Sequence, residues 1–434
     1  MTPEQLLEKV LESRFRIGVV GMGRVGLPLG IAFARKGIDV VGIDQDARLV
    51  AMVQQGKLPF SESGGEEGLT EVLAKGRLTA TGDYAALRDV DVIFITVATG
   101  LNTEMRVDYT HLRSALESLC PHLRPVQLLL TRSTVSPGTL EKVVKPFIES
   151  NTNLVVGRDI LLASAPERIA AGRALIELET LPEIVGGLDP VTSRIAAEVM
   201  RHLNPAKKIH IVDPVSAELA KLFTNVYRYV TFAVANEFAL LAEHYGRDAH
   251  EIIGVINEGY TRGGIPLPGP CGGPCLTKDG YLLLEEISFP DFILTAWKLN
   301  EGIPYHMVQR LKAALAERGK LLPSTKVAVL GMSFKADNDD LRQSPALRIQ
   351  EILRREGAAV MCHDPYHDTV SLEEALRDAD AVVLATNHTA FRDLRPSDIL
   401  EYAKPDCIFV DCWGQWRTSD GDASVLTLGQ GAGS

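Results

Sequence analysis

The sequence predicts an α/β protein in which two doubly wound domains are joined by a long central helix. Three observations predict it. A β-prone run, Phe15 to Val20, passes through a glycine-rich turn into a helix-compatible segment, Leu27 to Lys36. The stretch from Val215 to Tyr245 carries no Gly or Pro between Ser216 and His244. After Pro323 an alternation of strand and helix signals starts again.

The first unit justifies itself element by element. Gly37 stops the first helix, and Val40 to Ile43 forms a second strand that ends at Asp44. Further strands are expected at Val92 to Val97, Gln127 to Thr131 and Ile160 to Ala163, with helical segments between them, so the sheet should be parallel. The Gly-free stretch is too long for an ordinary surface helix and should span two lobes. In the second half, strands are expected at Lys326 to Leu330, Val360 to His363, Ala381 to Ala385 and Cys407 to Asp411. From Thr418 the chain is rich in Gly, Ser and Asp and is expected to be frayed. At roughly 150 residues per domain the chain divides into about three parts. These are expected at 1–204 (nucleotide binding), 205–308 (helical) and 309–434 (second α/β domain).

Composition excludes several classes. Lys and Arg number 45 against 56 Asp and Glu, a net charge of −11, which argues against a general nucleic-acid binder. The most apolar stretch, Tyr229 to Leu241, is broken by Asn236 and Glu237, and no run approaches the roughly 18 residues of a membrane span. The opening MTPEQLLEKVLESRFR lacks the apolar core of a secretory signal, and six cysteines without a paired framework fit a reducing compartment. A cytoplasmic protein that binds neither membrane nor nucleic acid is expected.

The turn Gly21-Met22-Gly23-Arg24-Val25-Gly26 has a G-x-G-x-x-G spacing between strand and helix, and Asp44 follows Gly21 by 23 residues. In such a Rossmann-like turn the first glycine makes the tight bend and the second admits a pyrophosphate. The third lets helix and strand pack closely, with the helix N-terminus facing the anion. Asp44 would accept from ribose hydroxyls and repel a 2′-phosphate, so NAD is expected over NADP, a preference that nearby Arg48 blurs.

The segment from Pro268 to Asp279, PGPCGGPCLTKD, is the most unusual in the chain. Its glycines allow close backbone approach, and Lys278 and Asp279 place charges beside Cys275, where a cation favours the nucleophilic thiolate. The same residues are compatible with a flexible loop holding two buried thiols. No further ligand pair accompanies Cys271 and Cys275, so no metal is expected. Cys120, Cys362, Cys407 and Cys412 lie in or beside apolar runs and are expected in the core. Lys221 and Asn225 share a helix face, with Arg228 one turn on. Ser133-Thr134-Val135 and Pro166-Glu167-Arg168 each follow a strand, where open α/β sheets bind ligands; alone, each is equally a turn or a helix cap. A thiol beside NAD suits oxidation of an aldehyde, because the thiolate creates the tetrahedral carbon from which hydride leaves.

These motifs resemble the UDP-glucose/GDP-mannose dehydrogenase family nearly end to end. The resemblance rests on GMGRVGLPLG at 21, STVSPGT at 133, APERIAAGRALIELETLPEIVGG at 165 and ELAKLFTNVYRYVTFAVANE at 218. It continues through GGPCLTKD at 272, LGMSFKADNDDLRQSP at 330 and DPY at 364. It implies four-electron oxidation of a sugar C6 hydroxyl with two NAD per turnover. By that resemblance Cys275 is the nucleophile, Lys221 and Asn225 stabilise the oxygen at C6, and Glu167, Asp279 and Thr134 position water and move protons. Thr99, Thr134 and Arg342 fall on the cofactor side. Glu167, Arg168, Arg262, Gly272, Gly273, Phe334 and Lys335 fall on the UDP-sugar side. Lys335, Arg262 and Lys221 would supply local positive charge for the diphosphate. A homodimer built on the apolar helix Val226 to Leu241 is also implied.

Three departures stand out. The cysteine loop is one residue short of the family pattern, with Cys271 in place of a glycine or aromatic residue, where it could pair with Cys275. Thr96-Val-Ala-Thr-Gly100 lacks the usual prolines, and Arg48 lies one place early. Ala165-Pro-Glu-Arg, Glu177-Leu-Glu179 and the strand Val410 to Arg417 look more like the branch acting on UDP-N-acetylmannosamine or UDP-N-acetylglucosamine, whereas Thr277-Lys-Asp279 is closer to UDP-glucose enzymes. The competing readings are a UDP-glucose 6-dehydrogenase, a non-catalytic nucleotide-sugar sensor and a two-electron β-hydroxyacid dehydrogenase.

Overall fold

The computed structural model describes residues 1–284, 287–417 and 424–431. The chain folds into two compact units, Met1–Thr224 with Tyr281–Glu286, and Asn225–Gly280 with Ile287–Ser434.

The first unit is built on an eight-stranded sheet. Its strands are β1 (Arg16–Val20), β2 (Asp39–Ile43), β3 (Leu78–Thr81) and β4 (Val92–Ile95), then, after a small hairpin of β5 (Gly100–Leu101) and β6 (Val107–Asp108), β7 (Gln127–Thr131), β8 (Ile160–Ser164), β9 (Glu183–Gly187) and β10 (Ile209–Ile211). The spatial order is β10-β9-β8-β7-β4-β1-β2-β3. Successive strand residues bury themselves in two separate layers. Ile17, Val19, Phe94, Leu128 and Leu130 pack on one face, and Val20, Ile93, Ile95 and Leu129 on the other. A sheet covered on both faces needs near-continuous apolar strands, which is why β4 and β7 read so clearly in the sequence. All pairs are parallel except β8–β9, where Ala163 and Ser164 face Gly187 and Gly186 in antiparallel register. This departs from the expected all-parallel sheet: the segment after β8, which carries the helix Ala174–Thr180, brings β9 back antiparallel to β8, and mixed sheets of this kind are common in doubly wound folds.

The second unit carries β11 (Lys326–Leu330), β12 (Ala359–His363), β13 (Ala381–Leu384), β14 (Ile408–Asp411) and β15 (Val425–Thr427), all parallel in the order β12-β11-β13-β14-β15. The frayed end expected from Thr418 is corrected by β15, which pairs with β14 from Phe409↔Val425 to Asp411↔Thr427. Residues 418–423 and 432–434 lie outside the described residues. The open edge of β14 offers a full ladder of backbone partners, which outweighs the weak strand preference of so short a segment.

The uninterrupted stretch forms one helix of 31 residues, Pro214–His244, within which the division between the units falls. It ends where Gly246 adopts the left-handed conformation at φ +62°. A second long helix, Asp291–Glu317, runs continuously through position 308 and contains Pro304. Among the described residues no helix is long and apolar enough to cross a membrane.

Candidate active site

In the first unit the chain leaves β1 through Gly21, at φ +95°, a conformation that only glycine adopts without strain. A Cβ on Gly26 would lie 1.9 Å from the Gly21 carbonyl oxygen, so the helix that starts there can pack against the turn only as glycine. A Cβ on Gly23 would meet nothing within 4 Å, which leaves the room a pyrophosphate needs at the helix N-terminus. The half-buried Asp44 carboxylate is aimed by two backbone donors, Met22 N at 2.7 Å and Asp46 N at 2.9 Å. Arg24 lies over the Phe60 ring, and Val25 is the residue that precedes the helix. The turn therefore fits a dinucleotide.

Beyond β7, Thr99 Oγ1 donates to the Thr134 carbonyl, and Ser133 Oγ donates to Val97 O at 2.5 Å. Thr134 and Thr99 are thus brought together, and the segment Thr96–Gly100 holds its turn by hydroxyl bonds without prolines. Beyond β8, Glu167 is buried against Arg132 in a contact pair. Arg132 also reaches Glu183 at 3.2 Å, and Glu183 accepts from Lys207 at 3.1 Å. Arg168 and Ile169 donate their backbone N–H groups to Glu167 Oε1 at 2.6 and 3.0 Å, while the Arg168 guanidinium donates to the Pro182 carbonyl. This four-charge cluster was not evident in the sequence, although a charge placed immediately after the apolar strand LLLT is a signal that a buried partner exists.

On the central helix Lys221 is buried, and Glu218, three residues before it, accepts from Gly138 N at 2.6 Å and Leu140 N at 3.0 Å. Burial pushes the Glu218 carboxyl up to about 7 despite those two donors.

In the second unit the cysteine loop is fastened to this helix. Asn236 takes Gly269 between its amide groups, accepting from Gly269 N at 3.0 Å and donating to Gly269 O at 3.1 Å. Asn225 donates to Asp279 Oδ2 at 2.6 Å. Asp279 is wholly buried, and its other oxygen accepts from Lys278 Nζ at 2.7 Å. The Lys278 charge is therefore shared with Asp279. Cys275 is exposed and precedes the single-turn helix Leu276–Asp279, its carbonyl accepting from Asp279 N at 3.0 Å. Trp297 Nε1 donates to Thr277 O at 2.6 Å and fixes that turn.

The loop also docks on the segment following β11. Gly273 N donates to Gln343 O at 3.0 Å, and Cβ atoms on Gly272 and Gly273 would strike Gln343 O at 2.4 Å and the Phe334 ring at 2.6 Å. Arg342 is held by Asp340 through Nε at 2.9 Å and Nη2 at 2.7 Å. The hydrogen-bonded Asp340 carboxylate stabilises its charge. Lys335 is exposed, and Arg262 is exposed with its guanidinium 5.1 Å from the Tyr260 ring centre.

Cys271 and Cys275 both carry free thiols, and burial pushes Cys271 up to about 12. Cys120, Cys407 and Cys412 are buried, as expected; Cys362 is half-buried with Arg354 Nη2 at 3.5 Å. Among the described residues no group of three His, Cys, Asp or Glu side chains is placed to hold a metal.

Comparison with known proteins bears on the same segments. Residues 15–204 match the NAD binding domain of the UDP-glucose/GDP-mannose dehydrogenase family, 215–301 its central domain and 328–418 its UDP binding domain. The UDP-N-acetyl-D-mannosamine dehydrogenase of Pyrococcus horikoshii is 37% identical over 387 residues, covering 87% of this chain and 91% of that protein. A solved structure of UDP-D-ManNAc dehydrogenase from Pyrococcus horikoshii superposes with a TM-score of 0.90 at 34% identity, over 96% of this chain and all of that one. The native UDP-N-acetyl-mannosamine dehydrogenase of Staphylococcus aureus gives 0.85 at 30% identity, over 95% and 98% of the two chains.

Proposed function

As the chain belongs to the UDP-glucose/GDP-mannose dehydrogenase family and is an NAD-dependent nucleotide-sugar dehydrogenase, we propose that it oxidises the C6 hydroxyl of UDP-N-acetyl-D-mannosamine to a carboxylate. The substrate choice is supported by the names of the relatives matched along most of their length. Our division into functional parts, 1–204 for NAD, 205–308 for the cysteine loop and dimer helix, and 309–434 for the UDP-sugar, is supported by the order of the three matched domains.

NAD, when bound at the Gly21–Gly26 turn and Asp44, supplies the hydride acceptor for each two-electron step. The chain's own residues do the rest. Removal of the C6 hydroxyl proton and a hydride gives an aldehyde. The Cys275 thiolate adds to its carbon, forming a C–S bond while the aldehyde oxygen takes up a proton. Loss of the second hydride and of that proton gives a thioester. Water then breaks the C–S bond and releases the carboxylate and the free thiol. Lys221 and Asn225 are assigned to the oxygen on C6, where a cation facing developing negative charge in a dry site is worth of order 3 kcal/mol. Asp279, Glu167 and Thr134 are assigned to water and proton handling. Thr99, Thr134 and Arg342 are assigned to the cofactor side. Arg168, Arg262, Gly272, Gly273, Phe334 and Lys335 are assigned to the sugar nucleotide.

The observation that carries this reading is the exposed Cys275 thiol on a turn whose buried Asp279 is hydrogen-bonded to Asn225 at 2.6 Å. The test is NADH yield with UDP-N-acetylmannosamine, UDP-N-acetylglucosamine, UDP-glucose and GDP-mannose. The expected result is about two NADH per sugar for the first substrate, and loss of acid product in Cys275→Ser. One equivalent with aldehyde product would remove the thioester step, and binding of every sugar without NADH would favour a sensor.

A homodimer is part of the same proposal. Phe223, Tyr227, Val234, Phe238 and Leu241 are exposed along the central helix at spacings of three, four and seven, the pattern of a coiled-coil seam, with Tyr245 exposed just past its end. Phe238, Leu241 and Tyr245 also line an apolar groove of about 550 Å³ with Ile252, Ile253 and Ile256. Light scattering should give twice the chain mass. Cytoplasmic location is proposed on the six free thiols, whose reduced state needs a reducing compartment.

A further inference from the structure

The turn after β11 reproduces the dinucleotide turn after β1 almost bond for bond. Gly331 takes φ +85° where Gly21 takes +95°. Gly331 N donates to His363 O at 2.8 Å as Gly21 N does to Ile43 O. Met332 N donates to Asp364 Oδ2 at 2.6 Å as Met22 N does to Asp44 Oδ2 at 2.7 Å. The other oxygen of each acid accepts a backbone N–H two residues on, from Tyr366 at 2.8 Å and from Asp46 at 2.9 Å.

The two acids then part company. Asp44 is half-buried, while Asp364 is 2% exposed and carries a third partner, His388 Nε2 at 3.2 Å. His388 is itself fully buried. The Asp364 carboxylate is thus held by three donors, two backbone N–H groups and the imidazole. The opposite nitrogen, Nδ1, accepts from Asp337 N at 2.9 Å, which makes Nε2 the protonated nitrogen that donates to Asp364. Asp337 sits at φ +56°, and its carboxylate accepts from Thr389 N at 2.8 Å and Thr389 Oγ1 at 2.6 Å.

One imidazole therefore ties down both ends of the loop that carries Phe334 and Lys335. It holds Met332 through Asp364, and it holds Asp337 directly. Ser333 Oγ to Asn338 O at 2.6 Å and Phe334 N to Asp340 O at 3.1 Å close the loop between them. The Phe334 ring in turn lies against Gly273, two residues before Cys275.

We propose that His388 is a positioning residue for the sugar nucleotide, holding the 332–340 loop so that Phe334 and Lys335 meet the UDP moiety. The inference rests on the UDP-sugar reading above. A single interior hydrogen bond sets the scale of the effect, about tenfold in affinity. UDP and NAD are titrated separately, by calorimetry, into the intact protein and three variants. In His388→Ala the UDP Kd and the sugar-nucleotide KM should rise by about tenfold, with the NAD Kd changed less than about twofold. His388→Asn places an oxygen near the Nδ1 position facing Asp337 N–H and should recover most of the loss. His388→Gln retains only a donor toward Asp364 and should not.

Wild-type UDP affinity in a folded His388→Ala protein overturns the inference. So does rescue by Gln in place of Asn, which would make the residue a support for Asp364 alone. If the alanine variant does not fold, the contrast between Asn and Gln decides on its own. Failure of the wild-type protein to bind UDP would instead remove the UDP-sugar reading itself.

Discussion

Replacing Arg132 with methionine leaves Glu167 and Glu183 to share one cation, Lys207. The Arg132 side chain is fully buried, with those of Glu167 and Glu183 10% and 6% exposed, so neither carboxylate can gain solvent without moving the backbone that holds it. In the native cluster two cations face two anions; in Arg132→Met one buried negative charge is left over. Removing one partner of a buried pair costs about 3–5 kcal/mol. The lower end applies here, because Glu167 keeps its donors from Arg168 N and Ile169 N. At about 2–4 °C per kcal/mol for a unit of this size, the first unit should melt roughly 6–12 °C lower, read by circular dichroism. The double variant Arg132→Met with Glu167→Gln removes the stranded charge and should regain a large part of the loss. A melting point within about 2 °C of wild type in Arg132→Met would refute the reasoning, as would a double variant no better than the single one.

Three more outcomes are expected. Cys275 is exposed while burial pushes Cys120, Cys271 and Cys407 up to about 11, 12 and 12, so brief iodoacetamide treatment at neutral pH should label Cys275 first. Mass spectrometry finding Cys271 labelled equally fast would contradict this. Gly26→Ala should destabilise the first unit by about 1–3 kcal/mol, because its Cβ would sit 1.9 Å from Gly21 O. Gly23→Ala should leave stability within about 0.5 kcal/mol yet weaken NAD binding; equal melting losses in the two variants would refute the assigned pyrophosphate approach. Glu218, at about 7 in the fold and 4.5 as an isolated group, binds its proton more tightly when native. Its contribution is full below pH 4.5 and is lost as pH rises through 7, amounting to at most about 3 kcal/mol. Wild-type stability should therefore fall between pH 5 and 8 relative to Glu218→Gln; a constant difference in urea unfolding would count against it.

Much of this protein was legible in its sequence because the signals are local. The Gly21–Gly26 turn, Asp44 and the apolar strands β1, β4, β7, β11 and β13 each announce themselves within a few residues. The central helix is visible as a stretch without helix breakers. Short or half-polar strands were not legible: β3 reads LTAT and β15 reads VLT, and each exists because a sheet edge offers backbone partners.

What the sequence determined by itself was which residues can do chemistry: a thiol in a glycine-rich loop, a lysine and an asparagine one helical turn apart, and an acid after a strand. Only the tertiary structure decided how their charges are apportioned. Lys278 belongs to Asp279, Arg342 to Asp340, Glu167 to Arg132 and Asp364 to His388. Two of these pairings, Glu167–Arg132 and Asp364–His388, join residues more than twenty positions apart. The physical reason is that burial strips a charge of water and obliges it to find a partner through space, and proximity in space carries no trace in residue order.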